Sequence, residues 1–272
     1  MINNYFTDIH NHIIFSIDDG AENLEKSIRM IEQALDSNIR QIVATPHITE
    51  VTDERVAERI KKHFQELEDE MIRQKLPVKI FLATELYYND RIYNWLKEPW
   101  VTFNGNQVYF LFELPLFDSP DGIGDFIFQI RLKGYQPILA HPERYIYLHN
   151  KLSTLIQWQQ QGCLMQMNAG SITGQFGNEV LSMAKKLLLA NFYSFAASDA
   201  HDIVSRDFKV LPKAFEIAND LITQKEAENL FIINPDKAIK GEPIPQSRID
   251  EEILTESWFE GIIKSIKNFK LH

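Results

Sequence analysis

The chain has 272 residues, 44% of them hydrophobic and 24% charged, and this ordinary globular composition excludes intrinsic disorder as the main state. Its formal net charge of −10 disfavours a nucleic-acid backbone or an anionic membrane as the main partner. With a single cysteine, Cys163, it forms neither an internal disulfide nor a thiolate zinc cluster. The first residues lack a signal-peptide pattern, and no uncharged apolar run approaches the ~18 residues of a spanning helix. We therefore expect a cytoplasmic protein with no nucleic-acid partner and no membrane insertion.

Short apolar runs alternate with longer amphipathic stretches along the chain. In chain order, the sequence predicts a strand at 5–9, a helix at 22–37, a strand at 39–47, a helix at 53–75, strands at 78–86 and 107–115, a helix at 122–133, a strand at 136–144, a helix at 152–161, a strand at 163–170, a helix at 180–190, a strand at 192–201 and a helix at 209–221. Alternating strands and helices imply parallel strands joined by helical crossovers. About seven such units favour a closed α/β barrel over an open sheet.

The domain organisation follows from the lack of any linker in most of the chain. No composition break divides the first ~245 residues, so we expect a single domain over 1–272. The proline-containing segment KGEPIPQS is the one hinge. After it, residues 247–272 are predicted as a C-terminal helical extension, with an amphipathic helix at 250–267 whose apolar positions are Ile253, Trp258, Ile262 and Ile266.

Histidines and acidic residues recur where the predicted strands end. They are His10 and His12 after the first strand, His47 after the second, Glu85 and Glu113 after the third and fourth, His141 after the fifth, and Asp199 and His201 after the last. Asp19, in the loop SIDDG, adds a ninth side chain. Because the carboxyl ends of parallel barrel strands open on one face, we expect all nine to converge there.

The chemistry of these nine side chains is that of a metal site. Imidazole and carboxylate groups are the ligands of borderline divalent metals, and in HNH and DAH the residues at i and i+2 point the same way, so each pair can hold one ion. Each motif alone is compatible with a structural role, but a solvated rim does not explain the joint choice of His and acid. Nine ligands exceed the needs of one tetrahedral ion and suit two or three ions that share a bridging carboxylate. These ligands admit manganese, iron and zinc, and the residues do not decide among them; manganese is our first expectation.

Two arginines follow ligand-bearing turns, Arg144 in HPER and Arg206 in DAHDIVSR. A guanidinium beside a multi-metal site suggests an anionic substrate group, since its planar fork matches phosphate oxygens. The alternative is a salt bridge from each arginine to an acid at the rim. The remaining histidines fall outside the pattern: His63 is predicted mid-helix on a charged face, and His149 and His272 are predicted to be solvated. Cys163 is predicted to be a core residue.

Several stretches of the chain, spread over residues 5–206, match the motifs of a known protein family. They are DIHNHIIFSIDDGAENLEKSIRM, IVATPH, ATEL, FELP, ILAHPERY, NAGSITG and ASDAH followed by Arg206. Together they resemble the polymerase and histidinol phosphatase (PHP) family, and more closely its bacterial protein-tyrosine phosphatases of capsular and exopolysaccharide systems. The resemblance implies a distorted (β/α)7 TIM-like barrel, the PHP fold, with three metal ions. The implied ligands are His10, His12, Glu85 and Asp199 for the first ion, Glu85, Glu113 and His141 for the second, and Asp19, His47 and His201 for the third. Arg144 and Arg206 match arginines that bind phosphate.

The function implied is that of a metal-dependent protein-tyrosine phosphatase, a phosphoric monoester hydrolase that uses a metal-activated hydroxide. Its substrate would be a phosphotyrosine-bearing bacterial tyrosine kinase that controls capsule or exopolysaccharide synthesis. The segment Asp18-Asp19-Gly20 matches the tyrosine phosphatases, whereas Ile14-Phe15-Ser16 replaces the Leu-Pro-Gly of relatives. Two alternatives stay open: a small-molecule phosphatase such as one for histidinol phosphate, and a non-catalytic, metal-stabilised regulator that binds the kinase. The sequence leaves the oligomeric state open.

Overall fold

The structure, a computed structural model, describes residues 5–89, 91–246 and 248–255. The strands in these ranges are β1 (Phe6–Asp8), β2 (Ile39–Ala44), β3 (His47–Ile48), β4 (Lys79–Leu82), β5 (Glu85–Tyr87), β6 (Tyr109–Glu113), β7 (Gln136–Ala140), β8 (Leu164–Asn168) and β9 (Phe195–Ala197). They form two parallel sheets, one ordered β1-β2-β4 and the other β3-β5-β6-β7-β8-β9. The predicted α/β class with parallel strands is confirmed.

The predicted strands at 39–47 and 78–86 are each divided in two. Pro46 has no backbone N–H to donate, and Thr45 donates its own to the carbonyl of Asn11, 3.0 Å away, in the segment that follows β1. The two chain segments nevertheless stay adjacent across the break. The amide of Ala83 donates to Ala44 at 2.9 Å and that of Glu85 donates to Pro46 at 3.1 Å.

The helices are α1 (Leu24–Asp36), α2 (Glu54–Gln74), α3 (Ile92–Trp95), α4 (Ile123–Leu132), α5 (Leu152–Gln160), α6 (Ala169–Ile172), α7 (Asn178–Leu189), α8 (Val210–Leu221), α9 (Gln224–Glu228), α10 (Asn234–Lys240) and α11 (Glu251–Thr255). A π-helical turn, Asn229–Ile233, joins α9 to α10, and 3₁₀ turns lie at Pro99–Val101, Phe103–Gly105, Pro142–Arg144 and Ile146–Leu148. The six helices predicted before residue 222 are confirmed with ends shifted by one or two residues. The helical stretch α9–α10 was not predicted.

Two helix starts are set by side chains that the sequence places there. Asn23 accepts a hydrogen bond from the amide of Lys26 at 2.9 Å and begins α1, and Asp53 accepts one from Val56 at 3.0 Å and begins α2. Each cap satisfies an amide that has no partner inside the helix, which is worth roughly 1 kcal/mol. These two caps fix the residues at which α1 and α2 begin, after the loops that follow β1 and β3.

The apolar side chains form two buried clusters. The larger one joins side chains of the sheets to those of the surrounding helices, and the smaller one consists mainly of side chains from the strands. The smaller cluster consists of Ile9, Val43, Ala83, Phe103, Tyr109, Leu111, Ile138, Ala140, Leu164, Phe195, Ala197, Ala238 and Ile239. It takes side chains from β2, β6, β7, β8 and β9, from the residues that directly follow β1 and β4, and from α10.

The first and last strands are brought together by their backbones. His12 donates its amide hydrogen to Ala200, and Asp199 donates to His10, both at 2.8 Å. These bonds set HNH and DAH side by side at the carboxyl ends of the strands. Helix α11 covers the start of the predicted helix at 250–267, and the rest of that helix lies outside the described residues. No helix in the described ranges is long and apolar enough to cross a bilayer.

Candidate metal centre

The two histidines of HNH face the same two carboxylates, those of Glu85 and Asp199. His10 and His12 follow β1 and are fully buried. The Nε2 atom of His10 lies 3.1 Å from Glu85 Oε2 and 3.4 Å from Asp199 Oδ1. The Nε2 atom of His12 lies 3.5 and 3.6 Å from the same two oxygens. The four residues expected around a first ion are thus brought together, although they come from distant parts of the chain.

Glu85 lies at the centre of the cluster and faces histidines with both of its oxygens. Its Oε1 atom is 3.3 Å from His141 Nε2, and its Oε2 atom is 3.2 Å from His47 Nδ1. Glu113 spans the same two rings, at 3.2 Å from His47 Nδ1 and 3.9 Å from His141 Nε2. A carboxylate whose two oxygens point to different ligands has the arrangement that a bridge between two ions requires.

The third expected group is also assembled. Asp19 Oδ1 lies 3.3 Å from His201 Nε2 and 3.7 Å from His47 Nε2. One ligand atom from each of His12, Asp19, His47 and His201 lies within 4.8 Å of the others. His47 thus faces two groups, with Nε2 toward Asp19 and Nδ1 toward Glu85 and Glu113. All nine predicted ligands converge on one region.

The buried polar atoms of this cluster fit a cation. Within the described part of the chain, His10 Nε2, His12 Nε2, His47 Nδ1 and Glu85 Oε1 are buried and make no hydrogen bond. Leaving such atoms unsatisfied costs roughly 1–3 kcal/mol each, so they need a partner. Lone pairs of imidazole and carboxylate that point toward one another from several strands are the donor set of Zn, Fe or Mn.

The charges of the cluster also favour a cation. Burial would raise the pKa of Glu85, yet His10 and His47 hold that pKa well below its ordinary range. Burial and the ring of His12 oppose the charged form of His47, but Glu85 and Glu113 outweigh them and raise the pKa of His47 to about 9. The carboxylates therefore stabilise positive charge at this position, and a divalent ion would supply that charge in a compact form.

Strand β8 bears none of the nine predicted ligands, and it holds two of them in place. Gln166 accepts a hydrogen bond from His10 Nδ1 at 2.9 Å, which leaves Nε2 with a free lone pair toward the cluster. Asn168 donates from Nδ2 to Asp199 Oδ2 at 2.6 Å. Sequence reasoning missed both residues. The available signal was the polar pair at i and i+2 in an otherwise apolar strand, because such residues face the same side.

Asp18 was missed as well, although its neighbour Asp19 was predicted. It accepts hydrogen bonds from His12 Nδ1 at 2.9 Å and from the amide of His47 at 3.0 Å. Burial opposes its charge, but His12 outweighs this and lowers the pKa of Asp18 to about 2. Gly20 closes the same loop against the backbone, since a Cβ there would lie 2.1 Å from the carbonyl oxygen of His12. The DDG motif therefore contains one candidate ligand, one carboxylate that orients a ligand, and a residue that must lack a side chain.

Two candidate ligands have left-handed backbone conformations. His141 directly follows β7 with φ 35°, and Asp199 follows β9 with φ 55°. A non-glycine residue in this region costs roughly 1–3 kcal/mol and persists where the surrounding structure holds it. Here the turns aim both side chains into the cluster at the ends of their strands.

The two arginines share one carboxylate. Arg144 Nη1 donates to Asp199 Oδ2 at 3.1 Å and Arg206 Nη2 donates to the same atom at 2.6 Å, while Oδ1 faces the histidines. The guanidinium of Arg144 also lies 4.5 Å from the ring centre of Phe176. Arg206 Nε is buried without a hydrogen-bond acceptor among the described residues. Each arginine therefore pairs with an acid and still has donors for an anion.

The cluster and the arginines open into one cavity of about 370 Å³. We name it the site cavity. It is lined by Asp19, His47, Glu85, Tyr87, Glu113, Leu114, Leu116, Phe117, His141, Arg144, Asp199, His201 and Arg206.

The side chains predicted to lie outside the site do so, but two are not solvent-facing. His149 is mostly buried and its Nε2 atom lies 2.7 Å from the carbonyl oxygen of Glu143. His63 stacks on Phe15 with ring centres 4.2 Å apart, and its Nδ1 atom donates to the Phe15 carbonyl. The expectation that His149 is solvated was wrong because the Glu143 carbonyl and the Glu179 carboxylate contact its ring. His63 lies on a charged helix, as predicted, but Phe15 from a distant loop covers its ring. Cys163 is fully buried, as predicted, and burial raises its pKa. His272 lies outside the described residues.

The fold and this cluster place the chain among parallel α/β proteins with a candidate multi-metal centre. The family model for capsular polysaccharide synthesis proteins, CpsB/CapC, matches residues 6–240. The chain therefore belongs to the CpsB/CapC family.

Individual relatives agree with this assignment. The chain is 31% identical to the tyrosine-protein phosphatase YwqE of Bacillus subtilis over 74% of this chain and 79% of YwqE. It is 29% identical to the tyrosine-protein phosphatase CpsB of Streptococcus pneumoniae over 85% of this chain and 97% of CpsB. A solved structure from the pair YwqE and CpsB of these organisms, described as metal-dependent tyrosine phosphatases, superimposes with a TM-score of 0.82 at 26% identity and covers 89% of this chain and 98% of that one.

Proposed function

We propose that this chain is a metal-dependent protein-tyrosine phosphatase. The observation that carries the proposal is a cluster of nine metal-type ligands, seven of which line one cavity together with two arginines, in a chain of the CpsB/CapC family. Relatives that cover most of the chain are named tyrosine-protein phosphatases. A cavity that joins a cation cluster to two guanidinium groups suits a dianionic phosphoryl group.

We assign three divalent ions to the cluster, with manganese preferred and iron or zinc accepted by the same ligands. The first ion is assigned to His10, His12, Glu85 and Asp199, the second to Glu85, Glu113 and His141, and the third to Asp19, His47 and His201. The unpaired lone pairs of His10, His12 and Glu85 support this assignment. When bound, such ions neutralise phosphoryl oxygens and lower the pKa of a water to near neutrality.

The chain's own residues would bind and orient the substrate. Asp199 holds Arg144 and Arg206 through one oxygen, so the two guanidinium groups are fixed before substrate arrives. Their remaining N–H groups would bind phosphoryl oxygens and stabilise the charge that develops on them. The leaving group is a phenolate whose conjugate acid has a pKa of about 10, so a strong general acid is less necessary than for an alkyl phosphate. Cys163 is buried in the core and takes no part.

The protein substrate we propose is a phosphotyrosine-bearing bacterial tyrosine kinase that controls capsule or exopolysaccharide synthesis. Support comes from the family, which is described by capsular polysaccharide synthesis, and from the tyrosine-phosphatase relatives.

We also infer that the two sheets are parts of one distorted (β/α)7 barrel in a single domain over 1–272, with 247–272 as a helical extension. The parallel bridge between Asn11 and Ala200 joins the segments that follow the first and last strands, and the amide of Asp199 donates to His10, so the two sheets meet there. The small core cluster has the composition of a barrel interior. Leu254 in α11 is buried in the main core, which supports the extension as part of the same domain.

The function is tested by metal removal. We expect a chelator to abolish hydrolysis of a phosphotyrosine peptide and a divalent ion, manganese first, to restore it. Histidinol phosphate and a phosphoserine peptide serve as parallel substrates. Full activity of a metal-free preparation would exclude the mechanism, and faster turnover of histidinol phosphate would move the protein to the small-molecule phosphatases. Metal-dependent folding and kinase binding without turnover would favour the non-catalytic regulator.

The bridging role is tested at Glu85. Glu85→Gln keeps the shape of the side chain but removes its charge, so we expect fewer bound ions per chain and a turnover near background. Glu216→Gln, on the exposed face of α8, is the matched control and should change neither quantity. A Glu85→Gln protein with the wild-type metal count and rate would contradict the assignment.

A further inference from the structure

The loop after β6, residues 114–122, places an exposed aromatic ring at the mouth of the site cavity. Phe117 leaves 90% of its surface exposed, yet it lines the same cavity as Glu113 and Arg144. Most apolar side chains of this size are buried in the described core, because an exposed phenylalanine forfeits the favourable free energy of removing its ring from water. An exposed apolar side chain beside a cavity is a feature of ligand sites.

The loop is held at its two ends. The amide of Leu114 donates to the hydroxyl of Tyr145 at 2.9 Å, and the hydroxyl of Tyr147 donates to the carbonyl of Pro115 at 3.0 Å. At the other end, the hydroxyl of Tyr88 donates to Asp121 at 3.3 Å. Tyr145 and Tyr147 follow the turn that also bears His141 and Arg144. The position of Phe117 is therefore coupled to the elements that would bind the phosphoryl group.

The lining of the cavity divides by chemistry. The ligand cluster and the two arginines form its polar part, whereas Leu114, Leu116 and Phe117 supply apolar surface beside Glu113. In tyrosyl phosphate a single oxygen joins the phosphorus to an aromatic ring. A phosphoryl group bound by the polar part therefore has its ring next to this apolar surface. In seryl phosphate the bridging oxygen is attached to a methylene group instead of an aromatic ring, and this group offers little apolar area.

We propose that Phe117, supported by Leu116, binds the aromatic ring of the substrate and selects aryl phosphates over alkyl phosphates. The inference rests on the proposed phosphatase function and adds the residue that sets its substrate class. Phe117 packs against the ring of the bound phosphotyrosine, an aromatic contact that favours offset or edge-to-face geometry. Binding covers the exposed ring of Phe117, so its burial energy is realised only in the complex.

The test compares Phe117→Ala with Phe117→Tyr, which keeps the ring. Phe128→Ala is the matched control, because Phe128 is also exposed, at 51%, but belongs to α4 and does not line the site cavity. The metal-loaded proteins are titrated calorimetrically with phenylphosphonate and with methylphosphonate, which differ only in the aromatic group. The KM and kcat for a phosphotyrosine peptide, the competitive inhibition by inorganic phosphate, and the metal content are measured on the same preparations.

We expect wild-type protein to bind phenylphosphonate about tenfold more tightly than methylphosphonate. Phe117→Ala should lose this preference and raise KM by about tenfold, with the inhibition by phosphate, the metal content and kcat little changed. Phe117→Tyr should keep the preference for phenylphosphonate, because its aromatic ring remains, and Phe128→Ala should behave as wild type.

An unchanged aryl preference in Phe117→Ala would overturn the inference while leaving the phosphatase function intact. Equal weakening of phosphate and phenylphosphonate would also overturn it, since Phe117 would then act through the metal centre. Wild-type protein that prefers phenylphosphonate but hydrolyses no phosphotyrosine would contradict the proposed function alone.

Discussion

The loop after β1, residues 9–23, and the loop after β6, residues 114–122, end at the same cavity but are built differently. The first buries His10 and His12 completely and is crossed by hydrogen bonds, from His12 to Ala200, from Ala21 to His12 and from Gly20 to Asp18. The described hydrogen bonds of the β6 loop lie at its ends, and its middle residues are exposed. One loop would position metal ligands and the other would contact substrate.

The contrast shows that two loops on one face of the fold meet different requirements, one for metal binding and one for substrate contact. Metal ligands must be held within a few tenths of an ångström, and this needs packed backbone and hydrogen-bonded rings. Contact with an aromatic group tolerates more freedom, so it can be placed on an exposed loop that varies without cost to the core. We therefore expect changes in the β1 loop to act on metal binding and changes in the β6 loop to act on substrate affinity.

The largest effect is expected from Gly20→Ala. The added Cβ would lie 2.1 Å from the carbonyl oxygen of His12, so the β1 loop has to move away from a ligand-bearing segment. Gly134→Ala is the control, because Gly134 has open space around it and only a positive φ of 89° to strain. We expect Gly20→Ala to lose most of its bound metal and its phosphatase activity. Gly134→Ala should lower the melting temperature slightly and keep both. Wild-type metal content in Gly20→Ala would contradict the tight packing of this loop.

The next largest effect is expected at Arg144, which faces the cavity without being a predicted metal ligand. Arg144→Ala should cut turnover about a hundredfold, since loss of one charge-stabilising donor costs ~3 kcal/mol. The metal content should stay at the wild-type level. Arg144→Lys should restore turnover only in part, because lysine lacks the planar fork.

The alternative for Arg144 is a purely structural ion pair with Asp199, 3.1 Å away. In that case the melting temperature of Arg144→Ala falls while the folded protein turns over normally. Melting temperature, metal content and turnover, measured on one preparation, decide between the two roles.

A smaller effect is expected from Asp18→Asn in the β1 loop. The Asp18 carboxylate accepts hydrogen bonds from His12, His47 and Gly20. The asparagine amide keeps one oxygen as an acceptor but turns an NH₂ group toward at least one of these donors. Loss of such an orienting carboxylate typically weakens metal binding by about tenfold to a hundredfold, and we expect the lower end. Metal affinity is measured by competition with a chelator of known affinity. Asp118→Asn, exposed in the β6 loop, should leave it unchanged. Equal affinities in the two variants would remove Asp18 from the support of the metal centre.

The smallest effect is expected at Cys163. The thiol is fully buried and burial raises its pKa, so the nucleophilic thiolate is scarce and inaccessible. Cys163→Ala should keep wild-type turnover, and iodoacetamide should not inactivate the native protein. Loss of turnover in a folded, metal-loaded Cys163→Ala protein would revive a thiol mechanism.

Local patterns in the sequence predicted most of the elements. The helices α1 and α2 were placed within two residues because amphipathic spacing and the capping residues Asn23 and Asp53 are local signals. The divided strands were not predicted, since the break at Thr45 depends on a hydrogen bond to Asn11. The segment α9–α10 was missed because its π-helical turn, Asn229–Ile233, interrupts the regular 3.6-residue period.

The sequence by itself determined which side chains are candidate ligands, because parallel strands present their carboxyl ends on one face and His and acid stand at those ends. Only the tertiary structure decided how they are oriented. The hydrogen bond from His10 to Gln166 spans 156 residues. Both arginines pair with Asp199 rather than with an acid that is nearer to them in sequence. The exposure of Phe117 beside the cavity likewise cannot be predicted from the short apolar run in which it stands. The physical reason is that ligand identity is read from local spacing, whereas ring orientation, ion pairing and exposure depend on groups that only the folded backbone brings within hydrogen-bonding distance.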